Sequence, residues 1–248
     1  AAISVTLDKT DPIVSIVAPT TAEVVPQLYT LDLNVTDANT TVETLAVTGN
    51  GYTDEPVTFD NTTRAADFGT ALPDGTYTLT VTSTDEAGNN GTNTVSIVLD
   101  TTDPAVSIVA PVADEIVPQT YTLDFSAFDA HLTTESVSVS GNGYTDEPIS
   151  FNDVTNEIDF GTTLPDGAYT LKITSTDIVN NSGSNSVSIV LDTTAPTISI
   201  LEPSDGARVK AITPLTLNIS DATTTSEAVT LSGGIYTDEP VSYNGTSM

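Results

Sequence analysis

The phrase Leu99-Asp100-Thr101-Thr102-Asp103-Pro104 recurs 92 positions later as Leu191-Asp192-Thr193-Thr194-Ala195-Pro196, and 92 earlier as Leu7-Asp8-Lys9-Thr10-Asp11-Pro12. A fixed period of this length constrains the chain more than any local propensity, because it sets the size of the folding module before elements are assigned. Ninety-two residues are enough to bury a two-layer core and too many for a solenoid repeat. The phrase is therefore a joint between copies. Residues 1–8 match a closing strand of a preceding copy, with Ile3, Val5 and Leu7 in the places of Val95, Ile97 and Leu99. Complete repeats span 9–100 and 101–192, and an incomplete third spans 193–248.

Each repeat alternates β-branched residues with hydroxyls, the pattern of a sheet with one wet face. In the first, strands are expected at Ile13–Val17, Tyr29–Val35, Val42–Thr48, Val57–Phe59, Ala66–Phe68, Tyr77–Ser83 and Asn93–Leu99, with a turn or bulge over Pro19–Pro26. About seven strands split by turn signals, and no helical periodicity, predict an all-β fold: tandem immunoglobulin-like Greek-key β-sandwiches arranged end to end. Core positions exchange only for apolar residues between copies: Leu31/Leu33/Val35 become Leu123/Phe125/Ala127, then Leu215/Leu217/Ile219. Tyr77 and Tyr169 follow Asp-Gly at the start of the sixth strand, where a buried ring returns its hydroxyl to backbone as a tyrosine corner. Gly75 and Gly167 supply the positive φ of that turn.

The chain carries 34 Asp and Glu against 5 Lys and Arg, a formal charge of −29. Such a surface repels nucleic acid and anionic membrane. Absence of cysteine removes disulfide, thiolate–zinc and thiol chemistry, and no apolar run is long enough to span a bilayer. The acidity has two readings, adaptation to high salt or repeated calcium sites, and both favour an extracellular setting.

In a seven-strand sandwich the N-terminus, the second–third strand loop and the sixth–seventh strand loop share one end. This gathers Asp8 or Asp11 with Asp37, Asp85 and Asn89 in the first repeat. The second gathers Asp100, Asp103, Asp129, Asp177 and Asn181, and the third Asp192 and Asp221. At the opposite end Asp54, Glu55 and Asp74 face the next joint. Oxygen-only ligands of this kind favour calcium over zinc or copper; solvated acidic loops are the competing reading. Tyr52-Thr53-Asp54-Glu55-Pro56, repeated at 144–148, reads as a turn that starts the fourth strand. His131, with Asn39 and Thr223 as its equivalents, reads as a surface residue. No Ser-His-Asp or paired-carboxylate constellation accompanies it, so the chain is read as no enzyme.

Leu99–Pro104, Leu191–Pro196, Leu72-Pro-Asp-Gly-Thr-Tyr77 and Asp85-Glu-Ala-Gly-Asn89 together resemble the tandem Ig-like repeats of bacterial and archaeal cell-surface adhesins and surface filament proteins. The resemblance implies an extender holding a terminal module away from the cell, with calcium stiffening its joints. Its partners would be neighbouring Ig-like domains or like subunits, with any glycan or surface-protein ligand outside this segment. Two alternatives stand beside it. Residues 1–8 could be donated as a strand to an incomplete neighbour, polymerising the chain by β-augmentation. A carbohydrate- or protein-binding module would need an exposed aromatic patch, for which Tyr52, Tyr144 and Tyr236 are the repeated candidates.

Overall fold

The computed structural model describes residues 3–39, 41–210, 215–223, 228–233 and 236–240. The first repeat forms β1 (Ile13–Ala18), β2 (Glu23–Val25), β3 (Leu28–Thr30), β4 (Asp32–Thr36), β5 (Thr41–Gly49), β6 (Tyr52–Asp60), β7 (Ala65–Asp67), β8 (Gly75–Asp85) and β9 (Asn90–Leu99). The second forms β10 (Ala105–Ala110), β11 (Glu115–Val117), β12 (Thr120–Thr122), β13 (Asp124–Phe128), β14 (Leu132–Gly141), β15 (Tyr144–Pro148), β16 (Ser150–Asn152), β17 (Glu157–Asp159), β18 (Gly167–Asp177) and β19 (Ser182–Leu191). Beyond them lie β20 (Thr197–Glu202), β21 (Thr216–Ser220), β22 (Thr230–Gly233) and β23 (Tyr236–Pro240). No helix occurs among the described residues, so none is long and apolar enough to cross a membrane.

One layer of the first repeat runs β2-β9-β8-β5-β6, and the other is built from β1 on β4 and β3 on β7. The long strand β6 serves both. Its first half pairs with β5, from Gly49↔Tyr52 to Leu45↔Val57, and its second half with β7, from Thr58↔Asp67 to Asp60↔Ala65. Strict alternation places Leu79, Val81 and Ile97 at complete burial, in one cluster with Val14 and Leu31 from the facing layer. Alternating hydroxyls keep the outer face wet, as the period-2 pattern requires.

The second repeat has the same order, β11-β19-β18-β14-β15 with β12-β17-β16 and β10-β13. The first strand of each copy slips register at one equivalent place: Ile16/Ala18, Ile108/Ala110 and Ile200/Glu202. Two compact units divide the chain: residues 1–110 with 124–138 and 172–186, and residues 111–123 with 139–171 and 187–248. The first contains all of β1–β9 together with the loops bearing Asp100, Asp129 and Asp177; the second contains β11, β12, β15–β17 and β20–β23.

Three elements differ from the expectation. The stretch expected as a turn over Pro19–Pro26 contains β2, which pairs in parallel with the closing strand, Glu23↔Ile97 to Val25↔Leu99. Three residues are too few to show a period. Tyr29–Val35 is two strands, β3 and β4, interrupted at the buried Leu31, whose N–H donates to Arg64 O at 2.9 Å. Tyr52–Pro56 is strand and not turn. Asp54 accommodates it with φ 50°, while Thr48 Oγ1 accepts its N–H at 3.1 Å and donates to its Oδ1 at 3.3 Å.

The tyrosine corner is present twice. Tyr77 Oη donates to Pro73 O at 2.7 Å and Tyr169 Oη to Pro165 O at 2.8 Å, both rings buried. Gly75 and Gly167 have φ of 142° and 145°. Arg64 closes a partly buried network. Its Nη1 meets Glu43 Oε2 at 2.8 Å, and Thr41 and Ser83 hydroxyls donate to Oε1.

Gly91 fixes the joint against the closing strand. A Cβ there would lie 1.8 Å from Pro12 O, and one at Gly183 would lie 1.6 Å from Pro104 O. Just beyond, Asn93 Nδ2 donates to Val14 O and Asn185 Nδ2 to Val106 O, tying the first strand to the last. Because the obstacle is backbone, it cannot rotate away. Gly91→Ala is expected to destabilise the first repeat by about 1–3 kcal/mol, read as a lower urea midpoint for that repeat, with an unchanged midpoint refuting the close approach.

Candidate metal centre

The joint phrase is held first by a carboxylate from the preceding turn. Asp74 Oδ1 accepts the N–H and the hydroxyl of Thr101, both at 2.8 Å, and its Oδ2 accepts the Thr102 hydroxyl. Asp166 treats Thr193 and Thr194 identically, which explains why Asp-Thr-Thr recurs as a unit. Burial pushes the Asp74 carboxyl up, but the Thr102 and Thr101 hydrogen bonds outweigh it and leave the group below the usual aspartate range. The Thr194 and Thr193 donors lower Asp166 in the same way. Asp74 therefore acts as a clasp on the joint.

The joint aspartate itself closes the sheet and enters the next repeat. Asp100 N donates to Val25 O at 3.0 Å and Asp192 N to Val117 O at 3.0 Å, continuing the parallel pairing of β2 and β11. The side chain then meets the loop after β4, β13 or β21, through a residue 31 positions ahead in every copy. Asn39 Nδ2 donates to Asp8 Oδ2. His131 Nδ1 lies 2.5 Å from Asp100 Oδ2, and Thr223 Oγ1 donates to Asp192 Oδ2 at 2.6 Å. The reading of His131 as an ordinary surface residue is therefore corrected. Asn39, His131 and Thr223 differ in chemistry but share one position, and comparing side-chain types hid this.

In the first repeat, oxygens of Asp8, Asp37 and Asp85 all lie within 4.8 Å of one another. Asp37 Oδ1 accepts Asn39 N at 2.8 Å, while its Oδ2 is buried without a partner. Asp85 is buried and organises its own loop: Oδ1 accepts the N–H groups of Ala87 and Asn89, and Oδ2 accepts Asn89 Nδ2 at 2.8 Å. The Asn89 side chain leads in holding this carboxyl below the ordinary range; burial opposes it, and the loop N–H groups reinforce the lowering. Protonation of Asp85 thus does not relieve the crowding at neutral pH, and a bound cation would. The donor set is all oxygen, with one buried oxygen left over, which fits a hard divalent ion.

The second centre joins Asp100, Asp129 and His131 within the same limit. Asp129 Oδ1 accepts His131 N at 2.7 Å. Asp177 repeats the loop chemistry of Asp85, with Asn181 Nδ2 reaching both Asp177 Oδ2 at 2.7 Å and Asp100 O at 3.3 Å. In the third, Thr223 joins Asp192 to Asp221, whose Oδ2 is again buried and unpartnered.

Other expected ligands lie elsewhere. Of Asp8 and Asp11, it is Asp8 that reaches the first centre; Asp11 is exposed on the joint, and its equivalent Asp103 accepts Ser182 N at 3.1 Å. Asp54 and Glu55 sit exposed on β6. Tyr52 and Tyr144 turn their hydroxyls to Ala71 O and Thr163 O, serving the fold. Tyr236 lies on β23, where side chains fall outside the description.

Paired sheets with a parallel strand beside the closing strand, a tyrosine corner and a strand shared between layers define an immunoglobulin-like sandwich, present in tandem. The chain belongs to the bacterial Ig-like domain family: residues 66–147 and 154–245 match the bacterial Ig-like domain (group 3), and residues 21–101 match a bacterial Ig-like domain. Families of this kind are typically non-catalytic. No curated protein matches the chain in sequence. Among solved structures it is similar to the fibronectin(III)-like modules of Clostridium thermocellum CbhA (15% identity, TM-score 0.42, 73% of this chain and 95% of that one). It is also similar to Drosophila N-cadherin EC1-4 (15%, 0.28, 75% and 50%). A third is SGBP-B of a Bacteroides ovatus mixed-linkage glucan utilization locus, solved with a mixed-linkage heptasaccharide (18%, 0.27, 73% and 48%).

The lowered carboxyls of Asp74, Asp85 and Asp166 give acid sensitivity a definite sign. Each is depressed in the fold, so its contribution is complete above the unfolded value of about 3.9 and is lost as pH falls through the folded value. Self-repulsion from a charge of −29 works the other way and is relieved first. Melting temperature at low salt should therefore hold or rise from pH 7 to 5 and fall below about pH 4. Asp166→Asn should show a shallower acid fall, and a melting temperature still rising at pH 2 would contradict the clasp.

Proposed function

We propose that this chain is a non-catalytic extender segment of an extracellular adhesin, filament or surface layer, with joints rigidified by calcium. Its modules are residues 9–100, 101–192 and the copy beginning at 193. The strand pairings from Ile13 to Leu99 and from Ala105 to Leu191 support these bounds. The observation that carries the calcium reading is the buried, unpartnered Oδ2 of Asp37 and of Asp221, each beside the aspartate of a joint. Asp8, Asp37 and Asp85 would hold the ion in the first repeat, completed by water and backbone oxygen. Asp192 with Asp221 occupies the corresponding place in the third, and Asp100 with Asp129 stands at the equivalent position of the second, where an imidazole joins them. A cation bound only to the docked arrangement shifts the population toward it, coupling external calcium to stiffness.

Calcium titration with thermal melting and small-angle scattering tests this. Extracellular calcium modules bind at about 10⁻⁴–10⁻³ M, so about 10 mM calcium should add roughly 1.4–2.7 kcal/mol, a melting shift of several degrees. Asp37→Asn should remove most of the shift for the first repeat. Identical melting and scattering after complete chelation, at low and high salt, would dismiss structural calcium.

Strand donation is the second reading, favoured by one feature. Ile198, Ile200, Leu215, Leu217 and Ile219 line an open, largely apolar cleft of about 720 Å³. Ile3, Val5 and Leu7 are 87%, 80% and 75% exposed, with the alternation of a strand that could fill such a cleft in another copy. Mass and sedimentation of the intact chain distinguish the two: concentration-dependent polymers abolished by Val5→Asp support donation, and a monomer at all concentrations eliminates it.

A further inference from the structure

The second centre differs from its equivalents in the atom it offers. The first presents Asp8, Asp37, Asp85 and the Asn39 amide, and the third presents Asp192, Asp221 and the Thr223 hydroxyl. The second places an imidazole at the same position, beside Asp100 and Asp129. Calcium takes oxygen, whereas imidazole with carboxylates suits zinc and the neighbouring transition metals. We propose that Asp100, Asp129 and His131 form a site for a borderline divalent transition ion, of which Zn²⁺ is the probe, distinct from the calcium-type centre at Asp37.

Several observations support a built site rather than a chance acidic cluster. Asp100 is only 3% exposed and is aimed into the centre, with its Oδ2 facing His131 Nδ1. Its remaining atoms are fixed from behind, since Oδ1 accepts Thr102 N at 3.3 Å and the backbone carbonyl accepts Asn181 Nδ2. The loop carrying the imidazole is fixed independently: His131 N donates to Asp129 Oδ1, and His131 O accepts Ile178 N at 3.0 Å. Support of this kind, which orients a ligand through its other atoms, is what tunes a metal site. In the copies without the imidazole, the equivalent carboxylates Asp37 and Asp221 each leave a buried oxygen unpartnered.

The geometry needs a small adjustment. Nδ1 and Oδ2 stand 2.5 Å apart, in direct hydrogen-bond contact. Metal bonds of about 2.0–2.2 Å at a tetrahedral angle hold ligand atoms about 3.3 Å apart. The pair therefore opens by less than about 1 Å, within reach of one imidazole rotation, and the metal replaces the proton between them. Three protein ligands then leave the remaining positions to water.

His131 is the chain's one histidine, so its imidazole gives a single, unambiguous set of NMR signals. The test adds Zn²⁺ to the intact metal-free chain in the presence of about 10 mM calcium, above the weak end of extracellular sites. The expected result is a shift of the His131 ring signals that saturates at one equivalent of zinc. His131→Asn, which installs the residue the first repeat carries at Asn39, should weaken zinc by more than the ~10–100-fold typical of losing a supporting partner. Its calcium-dependent melting should be retained. Ring signals unmoved by zinc, complete displacement by calcium, or unchanged zinc affinity and stoichiometry in His131→Asn would each overturn the proposal. The site extends the reading of the joints as cation centres, but the two fail separately. Loss of the calcium effect in the wild-type chain and in Asp37→Asn leaves the zinc titration standing.

Discussion

Everything in the architecture passes through the backbone of the joint aspartate. The short parallel pairing of β2 with β9 ends on Asp100 N donating to Val25 O, and the same residue turns its side chain into the next repeat. One residue thus terminates a sheet and seeds a loop cluster. The clasp of Asp74 on Thr101 and Thr102 fixes the exit, and Gly91 with Asn93 fixes the equivalent entry at Pro12 and Val14. Because these contacts are backbone-directed, they tolerate drift of apolar side chains between copies and do not tolerate a Cβ at Gly91.

Sequence alone made legible whatever repeats with a short period or a fixed offset. Alternation at Tyr77, Leu79 and Val81 located the innermost strand, and Pro-Asp-Gly before Tyr77 located the corner that closes with a 2.7 Å bond. Partners remote in sequence stayed hidden. β2 has three residues and earns its place only by lying beside Ile97–Leu99. Arg64 is unremarkable until Glu43, 4% exposed, is found beside it. A sandwich topology implies that these loops meet, but that Asp8 and not Asp11 reaches Asp37 and Asp85 depends on the conformation of the joint. His131 was missed although a signal existed: Asn39, His131 and Thr223 each stand two residues beyond an aspartate and 31 beyond a joint aspartate.

The copies are similar in frame and different in polar detail. Where the first repeat buries Glu43 against Arg64, the second has Glu135 and Asn156 at those positions, and its Ser175 hydroxyl is left buried and unpartnered. A lone buried hydroxyl costs stability that a completed network does not. The second repeat therefore lacks a polar brace its neighbour has, while carrying the imidazole its neighbours lack. Apolar faces are constrained by shape and exchange within a class; polar clusters are constrained by partners and change as sets.

Part of the acidity has a role close to the backbone. One aspartate after another accepts the N–H two residues ahead: Asp8 from Thr10, Asp37 from Asn39, Asp60 from Thr62, Asp67 from Gly69, Asp85 from Ala87, Asp129 from His131, Asp159 from Gly161, Asp177 from Val179 and Asp221 from Thr223. Each is a local turn in which the carboxylate supplies what the backbone would otherwise take from water. A sandwich needs many turns, so a chain that builds them with aspartate accumulates charge as a by-product. At isolated turns such as Asp60, where the Thr62 and Thr63 N–H groups hold the carboxyl low, solvent disperses that charge. In the first repeat the turns of Asp8, Asp37 and Asp85 converge, and their carboxylates lie within 4.8 Å of one another. The same residue choice that closes each loop therefore also concentrates carboxylates where the loops meet.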